Sequence, residues 1–198
     1  MAQSRCQGWP EAILTVIRRT ETRTRAPILN SLRRIVPAVA WASRVAGRAR
    51  RRRAFFSGPL GTCARKLHSE GVQAGKAGHF AHADPLLRES LDVLRRYCPP
   101  GDILIAQGAV SLGTLYFYGR RPDLAEPLYR EGWMLHRQGL GDRHPETAGR
   151  AVELARVLVI LGRIPEAYGF LRGAHEVFTA SFGPMHQATL DVLDMMRH

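Results

Sequence analysis

Gly71-Val72-Gln73-Ala74-Gly75-Lys76-Ala77 places two glycines and a lysine at nearly the spacing of a phosphate-cradling loop. The run is one residue short and has Ala77 where a magnesium-holding Ser or Thr belongs. No strand-like stretch precedes it, so phosphate chemistry is set aside. His79 and His82 are near enough in sequence to share a metal, but no Cys, Asp or further His in register completes a ligand set. They read as turn residues between two helices. Asp191 and Asp194 fit a solvated helix face better than an acid–base pair. His144 and His186 recur with an internal repeat and so read as structural. No Ser-His-acid or Cys-His arrangement stands apart from that repeat. No catalytic residue, cofactor or metal is expected, and an enzyme is not expected either.

The elements that position these residues repeat at a fixed interval. Ala83-Asp84-Pro85-Leu86-Leu87-Arg88-Glu89 returns 42 residues later as Ala125-Glu126-Pro127-Leu128-Tyr129-Arg130-Glu131, and a weaker third copy starts at Ala167. Leu140-Gly141 to Thr147 is echoed by Phe182-Gly183 to Thr189, with Gly, His and Thr in register. Leu112 maps onto Leu154, and Gly71, Gly113 and Ala155 align as small residues. Gly78 and Gly162 fall five residues before their copies, whereas Gly119 falls six before, an apparent slip of one. Self-similarity at this period marks stacked supersecondary units that bury a shared core and usually bind other proteins.

Each unit reads as two helices. From Thr147 to Leu161 apolar residues recur at helical spacing, and Gly162 ends the run. A second helix is expected from about Pro165 to Phe178. In the middle copy Asp123 and Glu126 suggest a capping box, and Pro85 and Pro127 are expected near a first turn, where a missing N–H costs little. The fold class is therefore all-α: a helical-hairpin solenoid of about three repeats, 62–103, 104–145 and 146–187, with a terminal half-repeat helix at 188–198. Leu190, Leu193 and Met196 of that last helix are expected to leave apolar surface for a partner or a second copy to cover.

Ala125 to Tyr129 and Leu140 to Ala148 resemble the tetratricopeptide repeat family, in the 42-residue form found in kinesin light chains. The resemblance spans about residues 62–198 and implies a non-catalytic adaptor or assembly factor whose groove, lined by the first helix of each unit, holds a protein or peptide segment. It assigns to that groove Arg65, His68, Val72 and Lys76, then Gln107, Val110, Thr114 and Tyr118, then Gly149, Val152, Arg156 and Ile160. The cations among them point to an acidic segment. The family's paired Asn is replaced by Val110-Ser111 and Val152-Glu153, so the backbone contacts those Asn make do not transfer.

Charge separates the remaining part of the chain. Residues 1–66 carry 15 Lys/Arg against two acids, Glu11 and Glu21, whereas the rest carries 14 against 15. The leader, 1–60, has an apolar helical face at Ile28, Leu29, Leu32, Ile35, Val36 and Val39, opposite Arg33 and Arg34. This composition fits a mitochondrial transit peptide cut near 55–57. A cytoplasmic basic tail and a nuclear or nucleic-acid-binding arm at Arg48 to Arg53 stay open. If the leader is retained, the alternative is a structural subunit of a larger complex, with RNA as a candidate component. Cys6, Cys63 and Cys98 lack paired spacing, which argues for a reducing compartment, and no apolar run reaches the roughly 18–20 residues of a membrane span.

Overall fold

The computed structural model describes residues 58–197, seven helices with no strand among them. They are α1 (Pro59–Lys76), α2 (Phe80–Tyr97), α3 (Ile103–Tyr118), α4 (Pro122–Leu140), α5 (Pro145–Ile160), α6 (Ile164–Phe182) and α7 (Gln187–Arg197). Successive helices pack on one another as three hairpins, α1/α2, α3/α4 and α5/α6, followed by α7. The repeat unit runs Cys63–His198. The leader up to residue 57, with its amphipathic segment and cleavage region, lies outside the described residues, and α1 begins within the last two residues assigned to it. None of the described helices is long and apolar enough to cross a membrane.

The 42-residue register is a packing register. Ala83, Ala125 and Ala167 are buried at equivalent places in α2, α4 and α6, as are Leu87, Tyr129 and Leu171. One turn further, Ser90, Gly132 and Ala174 form a buried small-residue slot; the Ser90 hydroxyl donates to the Ala64 carbonyl at 2.9 Å. Leu94, His136 and Phe178 fill the next slot. His136 is 1 % exposed and satisfies itself locally, Nδ1 donating to the Gly132 carbonyl at 2.8 Å. Small residues at the facing positions permit close approach: a Cβ on Gly71 would meet Leu87 Cγ at 2.8 Å, and one on Gly113 would meet Leu128 Cβ at 3.3 Å. Each large aliphatic side chain sealed this way contributes roughly 1.5–3 kcal/mol.

The hairpin turns repeat as faithfully, which removes the apparent slip at Gly119. Backbone N–H groups of His79, Arg121 and Arg163 reach back five residues to the carbonyls of Ala74, Tyr116 and Leu158, at 2.9, 2.8 and 2.9 Å. This closure requires a left-handed residue just before the donor. Gly78 (φ 80°), Arg120 (φ 57°) and Gly162 (φ 73°) supply it, 42 residues apart. Gly119 has φ −74° and is not the turn residue. An L-residue held left-handed costs roughly 1–2 kcal/mol, so Arg120 is strained where its two counterparts are not.

Other local expectations change. The capping box at Asp123 and Glu126 does not form: α4 begins after Arg121 with no side-chain cap, and Glu126 pairs with Arg130 at 2.6 Å. Pro85 and Pro127 are the sixth residues of their helices, beyond the four N–H groups that have no intrahelical partner. The carbonyls left without donors belong to Ala81 and Asp123, both exposed, where water can serve them. His82 lies within α2 rather than in a turn, and α6 runs one turn beyond Phe178 to Phe182. In α7, Leu190, Leu193 and Met196 are half-buried, and the large apolar exposure is instead at Phe182 (47 %) and Met185 (80 %).

Candidate partner-binding groove

Because α1, α3 and α5 begin each hairpin, their caps set the pitch of any surface they share. Asp102, His144 and His186 occupy one N-cap slot, 42 residues apart. Asp102 Oδ1 accepts from the Leu104 N–H at 3.1 Å, His144 Nδ1 from Glu146 at 3.2 Å, and His186 Nδ1 from Ala188 at 3.2 Å. A ring nitrogen that accepts there is unprotonated, and the two histidines are structural caps. Asp102 escaped the sequence reading because a different residue type performs the same task.

A groove of about 580 Å³ opens between α1 and α3, with the start of α2 at its end. Val72, Lys76, Ser111, Thr114, Phe80 and Tyr118 line it, over a floor that includes Gly71, Gly75, Leu87 and Leu115. A Cβ on Gly75 would sit 2.9 Å from Leu115 Cδ1, so the leucine of α3 rests directly on the α1 backbone there. Four residues assigned to the groove by resemblance thus come together: Val72, Lys76, Thr114 and Tyr118. Tyr118 stands at the mouth, 65 % exposed.

The others are distributed differently. Arg65 and Gln107 are exposed on α1 and α3, and neither lines the groove. Arg156 lies over the Phe117 ring at 5.4 Å, and Val152 is half-buried. Ile160 is 58 % exposed, while Gly149 has nothing within 4 Å of where its Cβ would be. Val110 is a correction: it is buried against α4, with Cγ2 only 2.4 Å from where a Cβ on Gly132 would be. One helical position is 100° of rotation, enough to turn Val110 into the hairpin and bring Ser111 to the groove. Ser111, Phe80 and the floor glycines were not foreseen. The second position of the family's Asn pair is the signal that would have found Ser111.

The polar groups here are settled rather than reactive. Thr114 Oγ1 and the Tyr129 hydroxyl share a 3.0 Å hydrogen bond, and burial pushes the Tyr129 phenol up to about 12. Tyr116, beside the groove floor, donates to Asp84 at 2.5 Å and is likewise raised to about 12, by burial first and then by that hydrogen bond. Neither phenol ionises near neutral pH. Among the described residues no three His, Cys, Asp or Glu side chains are grouped so as to hold a metal ion. A second cavity of about 540 Å³ between α4, α5 and α6 is walled by Trp133, Phe170, Ala148 and Ala151. Its rim charges already pair: Arg137 with Asp142, and Glu166 with Arg130 at 2.7 Å.

His68 joins the two walls, its Nε2 lying 3.4 Å from Ser111 Oγ. Burial holds its pKa below the usual 6.5. Below pH 6.5 the unfolded chain takes up this proton more readily than the folded one. Stability is therefore expected to fall as pH drops from 6.5 toward the folded pKa, and then to level off. Urea unfolding at pH 7.5 and pH 5 should show a larger acid loss for the wild type than for His68→Gln; equal losses would show that His68 does not report the α1–α3 contact.

Residues 106–146 match a family model described as tetratricopeptide repeat. No curated protein matches the sequence. Among solved structures the chain is similar to BtubC (BKLC) from P. vanneervenii, at 22 % identity and a TM-score of 0.59, over 78 % of this chain and 62 % of that one. It is similar too to a Podosopora anserina protein described as a kinesin light chain with nearly identical TPR-like repeats: 17 % identity, TM-score 0.61, 67 % of this chain and 63 % of that one. The type III secretion translocator chaperone SycD of Yersinia enterocolitica follows at 17 % identity and TM-score 0.50, over 68 % of this chain and 87 % of that one. The chain thus spans under two thirds of the first two proteins, and at these identities the likeness speaks for the fold.

Proposed function

We propose that the chain, whose residues 106–146 match a tetratricopeptide repeat model and whose fold is like that of kinesin-light-chain-like repeat proteins, is a non-catalytic adaptor or assembly factor that holds a partner segment in the α1–α3 groove. The observation that carries this reading is the groove itself: about 580 Å³, walled by apolar Val72, Phe80 and Tyr118, with Lys76 as the charge on its lining. Apolar walls with a few placed polar groups suit an extended or helical segment with an apolar anchor and a carboxylate beside it. Arg156, exposed beyond the far wall, extends the positive character along the same side.

Lys76→Glu combined with Arg156→Glu is expected to weaken capture of the native partner about tenfold, two reversed surface charges at roughly 0.7 kcal/mol each. The readout is affinity purification of the native protein with quantification of the partner. Undiminished capture would remove the groove reading. The leader's charge, 15 Lys/Arg against two acids over residues 1–66, favours a second reading if it is kept: a subunit whose basic arm touches RNA. Removal of the leader would fit the mitochondrial address instead. Intact mass of the same purified protein separates these, since cleavage near 55–57 removes nearly all of that charge.

A further inference from the structure

Arg120 is the one described non-glycine residue with a left-handed backbone, at φ 57°. Its counterparts in the flanking hairpins are Gly78 and Gly162, which adopt that conformation without strain. The turn hydrogen bonds are the same at all three places, so the hairpin gives no reason for arginine over glycine. Strain of this sort persists where the residue has a use.

Its surroundings supply one. A Cβ on Gly119 would lie 3.9 Å from Phe80 Cδ1, so the α3/α4 turn sits against the start of α2. Phe80, Lys76 and Tyr118 form that same mouth of the groove. Lys76, Arg120 and Arg121 are all exposed, and none has an ion pair among the described residues. At the third turn Arg163 is neutralised, by Glu126 at 3.3 Å and Glu166 at 2.5 Å. Of the nearby carboxylates, Asp84 is held by Arg88 and Tyr116, which leaves Asp123, exposed, against three cations.

We propose that the edge formed by the α1/α2 and α3/α4 turns is a docking edge for an acidic polypeptide segment, with Arg120 kept left-handed to add its charge to Lys76 and Arg121 at the groove mouth. The proposal rests on the groove reading above and extends it past the helices to the turns. A nucleic acid is the poorer match. Three cations are few against the phosphate contacts such binding uses, residues 67–198 hold 14 Lys/Arg against 15 acids, and the adjoining walls are apolar.

The test compares the full-length chain with variants, so that the basic leader is common to all. The probe is a fluorescein-labelled peptide with one leucine flanked by glutamates, read by anisotropy at low salt beside a thermal melt. Arg120→Gly should raise Tm by about 3 °C yet weaken peptide binding about threefold. Arg120→Lys should keep the affinity without the rise in Tm. Lys76→Gln/Arg120→Gly/Arg121→Gln should weaken binding tenfold or more. Opposite movement of stability and affinity is what a merely structural arginine would not produce. The proposal is overturned if Arg120→Gly raises Tm with affinity unchanged, or if the wild type does not bind the peptide. It is also overturned if a labelled single-stranded oligonucleotide, and not the peptide, loses affinity in Arg120→Gly. Loss of the native partner in Lys76→Glu/Arg156→Glu together with unchanged peptide affinity in Arg120→Gly would leave the groove standing and remove the edge.

Discussion

Leu154→Ala is expected to cost about 2–5 kcal/mol, the largest stability loss of any single truncation in the repeat unit. Leu154 is 0 % exposed, in a first helix that packs on α4 before it and α6 after it. Removing its isobutyl group forfeits the transfer free energy and leaves a cavity among side chains that already fit at close spacing. Against a total stability of roughly 5–15 kcal/mol for a domain of this size, that is a large fraction. Urea unfolding followed by far-UV circular dichroism checks it. Ile160→Ala, in the same helix at 58 % exposure, should shift stability by no more than about 0.5 kcal/mol. Similar small losses for both would mean that α5 is not the buried centre of the stack.

Gly132→Val should cost about 2–3 kcal/mol, by the opposite mechanism. Ser90, Gly132 and Ala174 are the small residues at one slot of the repeat, and in the middle copy even a Cβ would reach 2.4 Å from Val110 Cγ2. The Ala106 carbonyl, 3.5 Å away on the same helix, limits sideways escape. Val110→Ala in the same chain should return more than 1 kcal/mol of the loss, because the residues share one space and their effects do not add. A double-mutant cycle by chemical denaturation measures this coupling. Additive losses would separate Val110 from Gly132 and put Val110 back on the groove face.

Much of the fold was legible because an invariant spacing is the least ambiguous signal a chain can carry. Ala83, Ala125 and Ala167 recur in sequence and are buried together in the fold, since each hairpin must offer the next the same shape. The signal failed where residue type and conformation part company. Arg120 fills a glycine's place, so the turn looked displaced to Gly119, although its hydrogen bonds keep the 42-residue step. Asp102 caps α3 as His144 caps α5, a correspondence invisible to a comparison of letters. The groove stripe was read one position out at Val110. Spacings of three or four both fit a helix, and only the packing of α4 on α3 decides between Val110 and Ser111.

Site-specific photo-crosslinking tests the central claim, that a partner lies in the groove between first helices, most directly. A benzophenone amino acid replaces Tyr118 at the groove mouth in one chain and Met134, 46 % exposed on α4, in another. Both are irradiated in cells and read by mass spectrometry. A partner adduct at position 118 and none at 134 is the predicted result. An adduct at 134 with none at 118 would place the partner on the second helices and contradict the account.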